Sequence, residues 1–206
     1  MSSQQQHWND IYKKNPSEQL SWFQEIPKLS LDLITQIATT KDQSMIDIGC
    51  GESRLVDYLF DDGFEDITLV DISSEALNKV KNRFHKRNKV PILISGDVTK
   101  LDFNRKFDIW HDRAVFHFLT DAKDRQAYMA NLVKSLSPDG SAIIATFSLD
   151  GPTRCSGLDI VQYDENKMRL VLNSQLILES CFHSDHRKPD GNHQAFSFFV
   201  IKYRPL

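Results

Sequence analysis

The residues with the plainest chemical potential are Asp47-Ile48-Gly49-Cys50-Gly51-Glu52-Ser53, a glycine-punctuated stretch where an apolar run gives way to a helical one. Glycines at such a junction let the backbone approach a ligand closely, and a helix starting there presents N–H groups without intrahelical partners. The third glycine of a dinucleotide fingerprint would fall at Arg54, so the pyrophosphate-binding pattern fails. Asp71 ends the next apolar run, ITLVDI, and a carboxylate there can accept both hydroxyls of a nucleoside ribose. The plainer alternative is a tight turn with a capping acid. A second group of titratable residues, His111, Asp112, Arg113 and His117, follows the run FDIW.

The surrounding pattern supplies a frame for these residues. SMIDIG, ITLVDI, PILIS, FDIWH and SAIIATF are short apolar runs, the last entered through Pro138-Asp139-Gly140. Helical stretches separate them, over Ser53 to Asp62, Ser74 to Arg87 and Asp121 to Leu136. Such alternation predicts a parallel sheet covered on both faces, wound with right-handed crossovers. LILESCFHS and HQAFSFFVIKY, separated by the polar HRKPDGN, add an antiparallel hairpin. The fold class is therefore α/β, a doubly wound, mainly parallel seven-stranded sheet ending in a C-terminal antiparallel hairpin. Ahead of it, Trp8 to Lys14 reads as a short helix broken at Asn15-Pro16. Leu29, Leu33, Ile34 and Ile37 then fall at helical spacing behind Pro27. Residues 1–40 thus read as an N-terminal helical segment and 41–206 as one globular domain.

Composition narrows the partners. Lys+Arg 25 against Asp+Glu 28 offers no basic footprint for a phosphate backbone, so nucleic acid is not expected. Cys50, Cys155 and Cys181 are odd in number and widely spaced, which suits a reducing compartment rather than a disulfide framework. The polar start MSSQQQHWNDIYKKN lacks the apolar core of a signal peptide, and no apolar run is long enough for a membrane span. A cytoplasmic monomer is the expectation. His183, His186 and His193 with Asp185 invite a metal reading. Strand alternation, however, points His183 and His186 to opposite faces, so no metal is expected; His186 is the one with a route to the rim of a pocket.

MIDIGCG and LVDIS together resemble the class I S-adenosylmethionine-dependent methyltransferases, whose signature is an acid-x-Gly-x-Gly loop and an acid after the second strand of a Rossmann-like sheet. ISGDVTKLDF and LSPDGSAIIATF fit the same family, and the likeness runs from about Trp8 to Tyr203. WHDRAVFHFL, ATFSLDGPTRCSGL and HRKPDGNHQAF are similar to a bacterial subgroup, and Asp112-Arg113 followed by DRQAY resembles thiopurine-methyltransferase-like enzymes. The [DN]PP[YFW] motif of DNA amino-methylating enzymes is replaced by His111-Asp112-Arg113-Ala114, which argues against DNA bases as acceptors.

The resemblance implies S-adenosylmethionine as cofactor, with S-adenosylhomocysteine as its product. Asp47, Gly49, Cys50, Gly51 and Ser53 would lie along it, and Asp71 with Ile72 would hold the ribose. Asp97 and Val98 would meet the adenine, unless Asp97 is a turn or cap residue. His111 would join them at the end of the fourth strand, and Trp8 and Trp22 would close over the cofactor as a lid, with Tyr12 and Phe23 nearby. Anchoring the segment to the domain is the other reading of these aromatics. A sulfonium methyl is already activated, so transfer is an in-line displacement governed by alignment. Asp112 is the candidate contact to the cofactor's methionine end or to the acceptor. Arg113 binds an acidic group or simply pairs with Asp112, and His117 either serves the substrate or is a packed histidine. The loop Asp150 to Gly157 either lines the acceptor pocket or is a plain connection.

The leading functional expectation is methylation of a small molecule. The Trp8-x-x-x-Tyr12 pattern keeps a protein-lysine methyltransferase as the alternative, and a non-catalytic cofactor-binding protein stands behind both.

Overall fold

Met45–Ile48 (β1) and Ile67–Asp71 (β2) are buried at every position, as central strands covered on both faces must be. They pair in parallel, and Phe107–Arg113 (β4) joins β1 on its other side. The computed structural model describes residues 2–204; Met1, Pro205 and Leu206, the extremes of the two expected segments, lie outside the described residues. Ile92–Ser95 (β3), Leu136–Phe147 (β5), Leu176–Arg187 (β8) and His193–Tyr203 (β9) complete a seven-stranded sheet of order β3-β2-β1-β4-β5-β9-β8. Only the β5–β9 and β8–β9 pairs are antiparallel within it, as the hairpin signal required. A separate small ribbon pairs Arg154–Cys155 (β6) with Leu158–Asp159 (β7).

The chain builds outward from β1 to β3, then returns to place β4 on the opposite side of β1. Strand order reverses there, and a doubly wound sheet opens a crevice at the carboxyl ends of such strands.

Six α-helices occur among the described residues: Ser3–Lys14 (α1), Lys28–Ile37 (α2), Leu55–Asp61 (α3), Ser74–Phe84 (α4), Ala122–Ser135 (α5) and Glu165–Val171 (α6). Leu33, Ile34, Leu55, Leu59, Val80 and Phe84 pack on one sheet face around Met45, Leu69 and Ile109. Tyr128, Leu132 and Met168 pack on the other around Ile46, Ile48 and Trp110. The alternation Met45/Ile46 thus assigns adjacent residues to opposite layers.

Several boundaries differ from the sequence expectation, each for a local reason. α1 begins at Ser3 rather than Trp8, because the Ser2 hydroxyl caps it by accepting from the Gln5 N–H. β5 starts at Leu136, directly after α5. It keeps the expected turn as a bulge, with Asp139 at φ 62° while the register jumps from Phe107↔Leu136 to Ile109↔Ser141. α6, capped by Asp164, is too short to show periodicity in the sequence. α1 and the following turn are docked by burial of Tyr12 and Leu20 against Ala76, with Trp8, Trp22 and Phe23 around them. Asn9 holds this contact from within, its side-chain oxygen accepting from the Ser73 hydroxyl at 2.8 Å.

Candidate functional site

The glycine loop leaves β1 with Gly49 and Gly51 both at positive φ, 62° and 53°, a conformation that L side chains rarely adopt. At Gly49 there is also no room for one, since a Cβ would overlap the Val115 side chain. Beside this loop, at the end of β2, Asp71 is buried. Its Oδ2 accepts from the Gly51 N–H at 2.8 Å and its Oδ1 from the Ser73 N–H at 2.7 Å. Burial raises its pKa to about 6 against the opposing pull of those two N–H groups. Each oxygen keeps a lone pair for a further donor.

Asp71 forms part of the wall of a cavity of about 320 Å³ at the carboxyl ends of the strands. One end is bounded by Ile72, Asp97 and Val98; the other by Phe147, Cys155, Gln194 and Phe196. Trp8, Tyr12 and Trp22 of the N-terminal segment line it as well. Asp97 is tied up locally, accepting from the Thr99 N–H at 3.0 Å and the Thr99 hydroxyl at 2.6 Å and pairing with Lys100 at 2.8 Å. The Lys100 and Thr99 hydrogen bonds hold its pKa below the usual carboxylate range, although burial acts the other way.

A smaller recess of about 60 Å³ shares Trp22, Gly49 and Arg113 with this cavity and adds Asp47, Cys50, Gly51, Ser53 and His111. Its floor is a buried hydrogen-bonded chain. His111 Nδ1 meets Asp47 Oδ1 at 2.7 Å, and His111 Nε2 meets the Ser30 hydroxyl of α2 at 2.9 Å. Ser30 gave no sign of this role, being one polar residue in an amphipathic helix.

Two expected contacts are placed elsewhere. Asp112 is fully buried and lies outside both linings. Its oxygens accept from the Val115 N–H at 2.8 Å, the Phe116 N–H at 3.1 Å and the Tyr128 hydroxyl at 2.7 Å. It thus ties down the N–H groups leading into the 3-10 turn Phe116–Phe118 and is closed off from both recesses. Burial drives its pKa up to about 7 despite these donors. His117 is likewise fully buried and outside both linings. Its Nδ1 accepts from the Phe147 N–H at 3.3 Å and its ring packs on Phe147. Burial, reinforced by the Arg113 charge, lowers its pKa to about 3, so it is neutral and packed.

Nor does Arg113 pair with Asp112. It reaches past it, donating from Nη1 to the Trp22 carbonyl at 3.0 Å and lying over the Phe196 ring at 5.2 Å. His186, considered for the rim, instead binds the Ser21 carbonyl at 2.8 Å. Among the described residues no cluster of His, Cys, Asp or Glu is arranged to hold a metal, and no helix is long and apolar enough to cross a membrane. Sequence reading missed the far wall, Phe147, Gln194 and Phe196, because the strands that carry it meet the glycine loop only through the sheet order.

Comparison with known proteins places this geometry. Residues 46–144 match the methyltransferase domain family, the stretch from β1 into β5 that carries the glycine loop, Asp71 and Asp97. The eEF1A lysine and N-terminal methyltransferase homolog of Drosophila melanogaster is 28% identical over 137 residues, which cover 65% of this chain and 20% of that protein. The chain thus spans about a fifth of the length of that curated relative. A structure solved for the conversion of a disulfide bond into a thioacetal group during echinomycin biosynthesis aligns with TM-score 0.79 at 15% identity, covering 97% of this chain and 93% of the other. The 1,6-didemethyltoxoflavin-N1-methyltransferase of Burkholderia thailandensis, solved with 1,6-didemethyltoxoflavin and S-adenosylhomocysteine bound, aligns with TM-score 0.69 at 18% identity over 98% and 85%. At these identities the structures speak for the fold, and the domain match for the lineage. With that domain match, an acid-x-Gly-x-Gly loop and a strand-end acid on a 3-2-1-4-5 sheet closed by an antiparallel pair support the class I S-adenosylmethionine-dependent methyltransferase superfamily as the lineage of residues 46–144.

Proposed function

We propose that the protein methylates a small molecule held in the aromatic end of its main cavity. The observation that carries this reading is the composition of that end, where Phe147, Phe196, Trp8, Trp22 and Phe118 surround a space continuous with the Asp71–Asp97 wall. Such a lining suits a flat acceptor that is largely enclosed. The residues at the other end fit the cofactor. Asp71 would accept the ribose hydroxyls, Ile72, Asp97 and Val98 would border the adenine, and the Gly49-Cys50-Gly51 backbone would run beside the methionine portion, with Asp47, Ser53 and His111 behind it. When bound, the cofactor supplies a methyl group already activated as a sulfonium.

Residues 1–40 form the lid in this reading, with Trp8, Tyr12 and Trp22 as its inner surface and 41–206 as the domain it covers. Arg113 belongs to the acceptor end, while Asp112 and His117 shape the turn beneath it. A second reading, methylation of a protein lysine, is supported by the Drosophila melanogaster relative, whose name includes that activity.

Calorimetric titration with S-adenosylmethionine and S-adenosylhomocysteine, with NAD as control, tests the cofactor assignment. Micromolar binding of the first two alone is expected. Transfer of labelled methyl groups to a panel of aromatic small molecules, but not to lysine peptides, is then the expected result; the reverse preference would sink the small-molecule reading.

A further inference from the structure

Arg113 is the only cation among the described residues lining the main cavity. It forms no ion pair among the described residues. Its Nη1 is used by the Trp22 carbonyl, while Nε and Nη2 are buried without a partner. Those two nitrogens lie along one edge of the guanidinium, the edge that grips a carboxylate with two parallel hydrogen bonds. The other faces of the group are occupied, by Phe196 on one side and Trp22 on another. A buried guanidinium with a vacant two-donor edge is costly unless something anionic completes it.

The nearest charges do not do so. Asp47 acts on Arg113 through space but is bonded to His111, and Cys155 is a buried thiol whose pKa is raised chiefly by that burial. At the rim, Asp159 is paired with Arg154 at 3.0 Å. His117 and His186, both influenced by the Arg113 charge, have lowered pKa values and add no anion. Among the described residues lining the aromatic end there is therefore also no uncommitted base. A neutral acceptor that must lose a proton would find none, whereas an acceptor arriving as an anion needs none.

We infer that the acceptor is a planar organic anion, an aromatic or heteroaromatic acid, whose charged group is held by the free Nε–Nη2 edge of Arg113 between Phe147, Phe196 and Trp22. This deepens the small-molecule reading and rests on it. Arg113 lies between the two recesses, so the competing occupant of its free edge is the carboxylate of the cofactor's own methionine.

The test uses the full chain saturated with S-adenosylhomocysteine, titrated with benzoate and 2-naphthoate and, in parallel, with the corresponding neutral amides. Both acids are expected to bind and both amides not to. Arg113→Met should weaken acid binding about tenfold or more, as loss of a two-point charged hydrogen bond predicts. Arg113→Lys, which keeps the charge but not the fork, should recover only part. Thermal melts and S-adenosylhomocysteine affinity of each variant report whether it folds and whether the cofactor end survives. Equal binding of acids and amides would overturn the inference. So would variants that fold but lose S-adenosylhomocysteine while the wild type ignores the acids, since Arg113 would then serve the cofactor. Failure of the wild type to bind S-adenosylhomocysteine would sink the proposed function separately; acid binding that still depends on Arg113 would leave the anion site standing.

Discussion

The Tyr12 side chain of α1 lies against Gly51 of the glycine loop so closely that a Cβ on that glycine would overlap its hydroxyl. The N-terminal helix and the loop therefore share one surface, and the tyrosine reads the absence of a side chain at position 51. Burial, with Asp71 close by, raises the Tyr12 pKa well above the phenol value, so it stays protonated and able to donate.

Gly51→Ala is expected to push Tyr12 out of place and to force a side chain to φ 53°. A loss of about 1–2 kcal/mol in stability follows from the backbone effect alone. The displaced N-terminal helix should weaken S-adenosylhomocysteine binding as well. Denaturant unfolding and calorimetry on the same preparation would measure both, and unchanged values in both would refute the contact.

Asp71 gives the site a pH dependence with a definite sign. In the proposed role ribose hydroxyls would donate to the ionised carboxylate, and burial raises the carboxyl pKa to about 6. Affinity should be fully present above that value and fall by up to about tenfold per unit below it. Titration of S-adenosylhomocysteine from pH 7 to pH 5 checks this, and Asp71→Asn should be both weaker and flat across the range.

Asp112 bears on folding rather than on ligand binding. Its folded pKa of about 7 lies far above the unfolded carboxylate value, so the native state holds a proton that the unfolded chain releases. Raising the pH from about 4 to about 7 should therefore cost stability, at up to about 1.4 kcal/mol per unit from this group. Unfolding midpoints at pH 5 and pH 7.5 should differ less in Asp112→Asn than in the wild type. Asp112→Ala, which orphans two N–H groups and the Tyr128 hydroxyl, should cost about 2–4 kcal/mol.

His117 makes the opposite contribution. With a folded pKa near 3, its imidazole stays neutral while the unfolded chain takes up a proton below about 6.5, so stability is lost on acidification through that window. Its ring resonances should not move between pH 8 and pH 5. A titration centred near 6.5 would mean that the ring is exposed.

The sheet was largely legible in the sequence because MIDI and ITLVD are apolar runs that end at residues with a special backbone or charge requirement. Asp71 and the glycines were legible for the same reason. Asp112 was not, because a carboxylate that caps a turn and one that meets a ligand look identical in a string. The distinction lies in Ala114, which adopts φ 74° and swings the next two N–H groups back onto Asp112. Nothing about an alanine announces that. Gln194 and Phe196 were beyond reach for a different reason: both meet the site from β9, far away in the chain, so only the sheet order brings them there.

Beneath the N-terminal aromatics, the cavity has walls from two sides of the sheet. One is built by the turns after β1, β2 and β3, the other by β5, the β6–β7 ribbon and β9. Arg113, on the strand between them, is the hinge of this division of labour. Substitutions in the late segments can therefore reshape one wall while leaving the other intact, so the two walls are free to diverge separately.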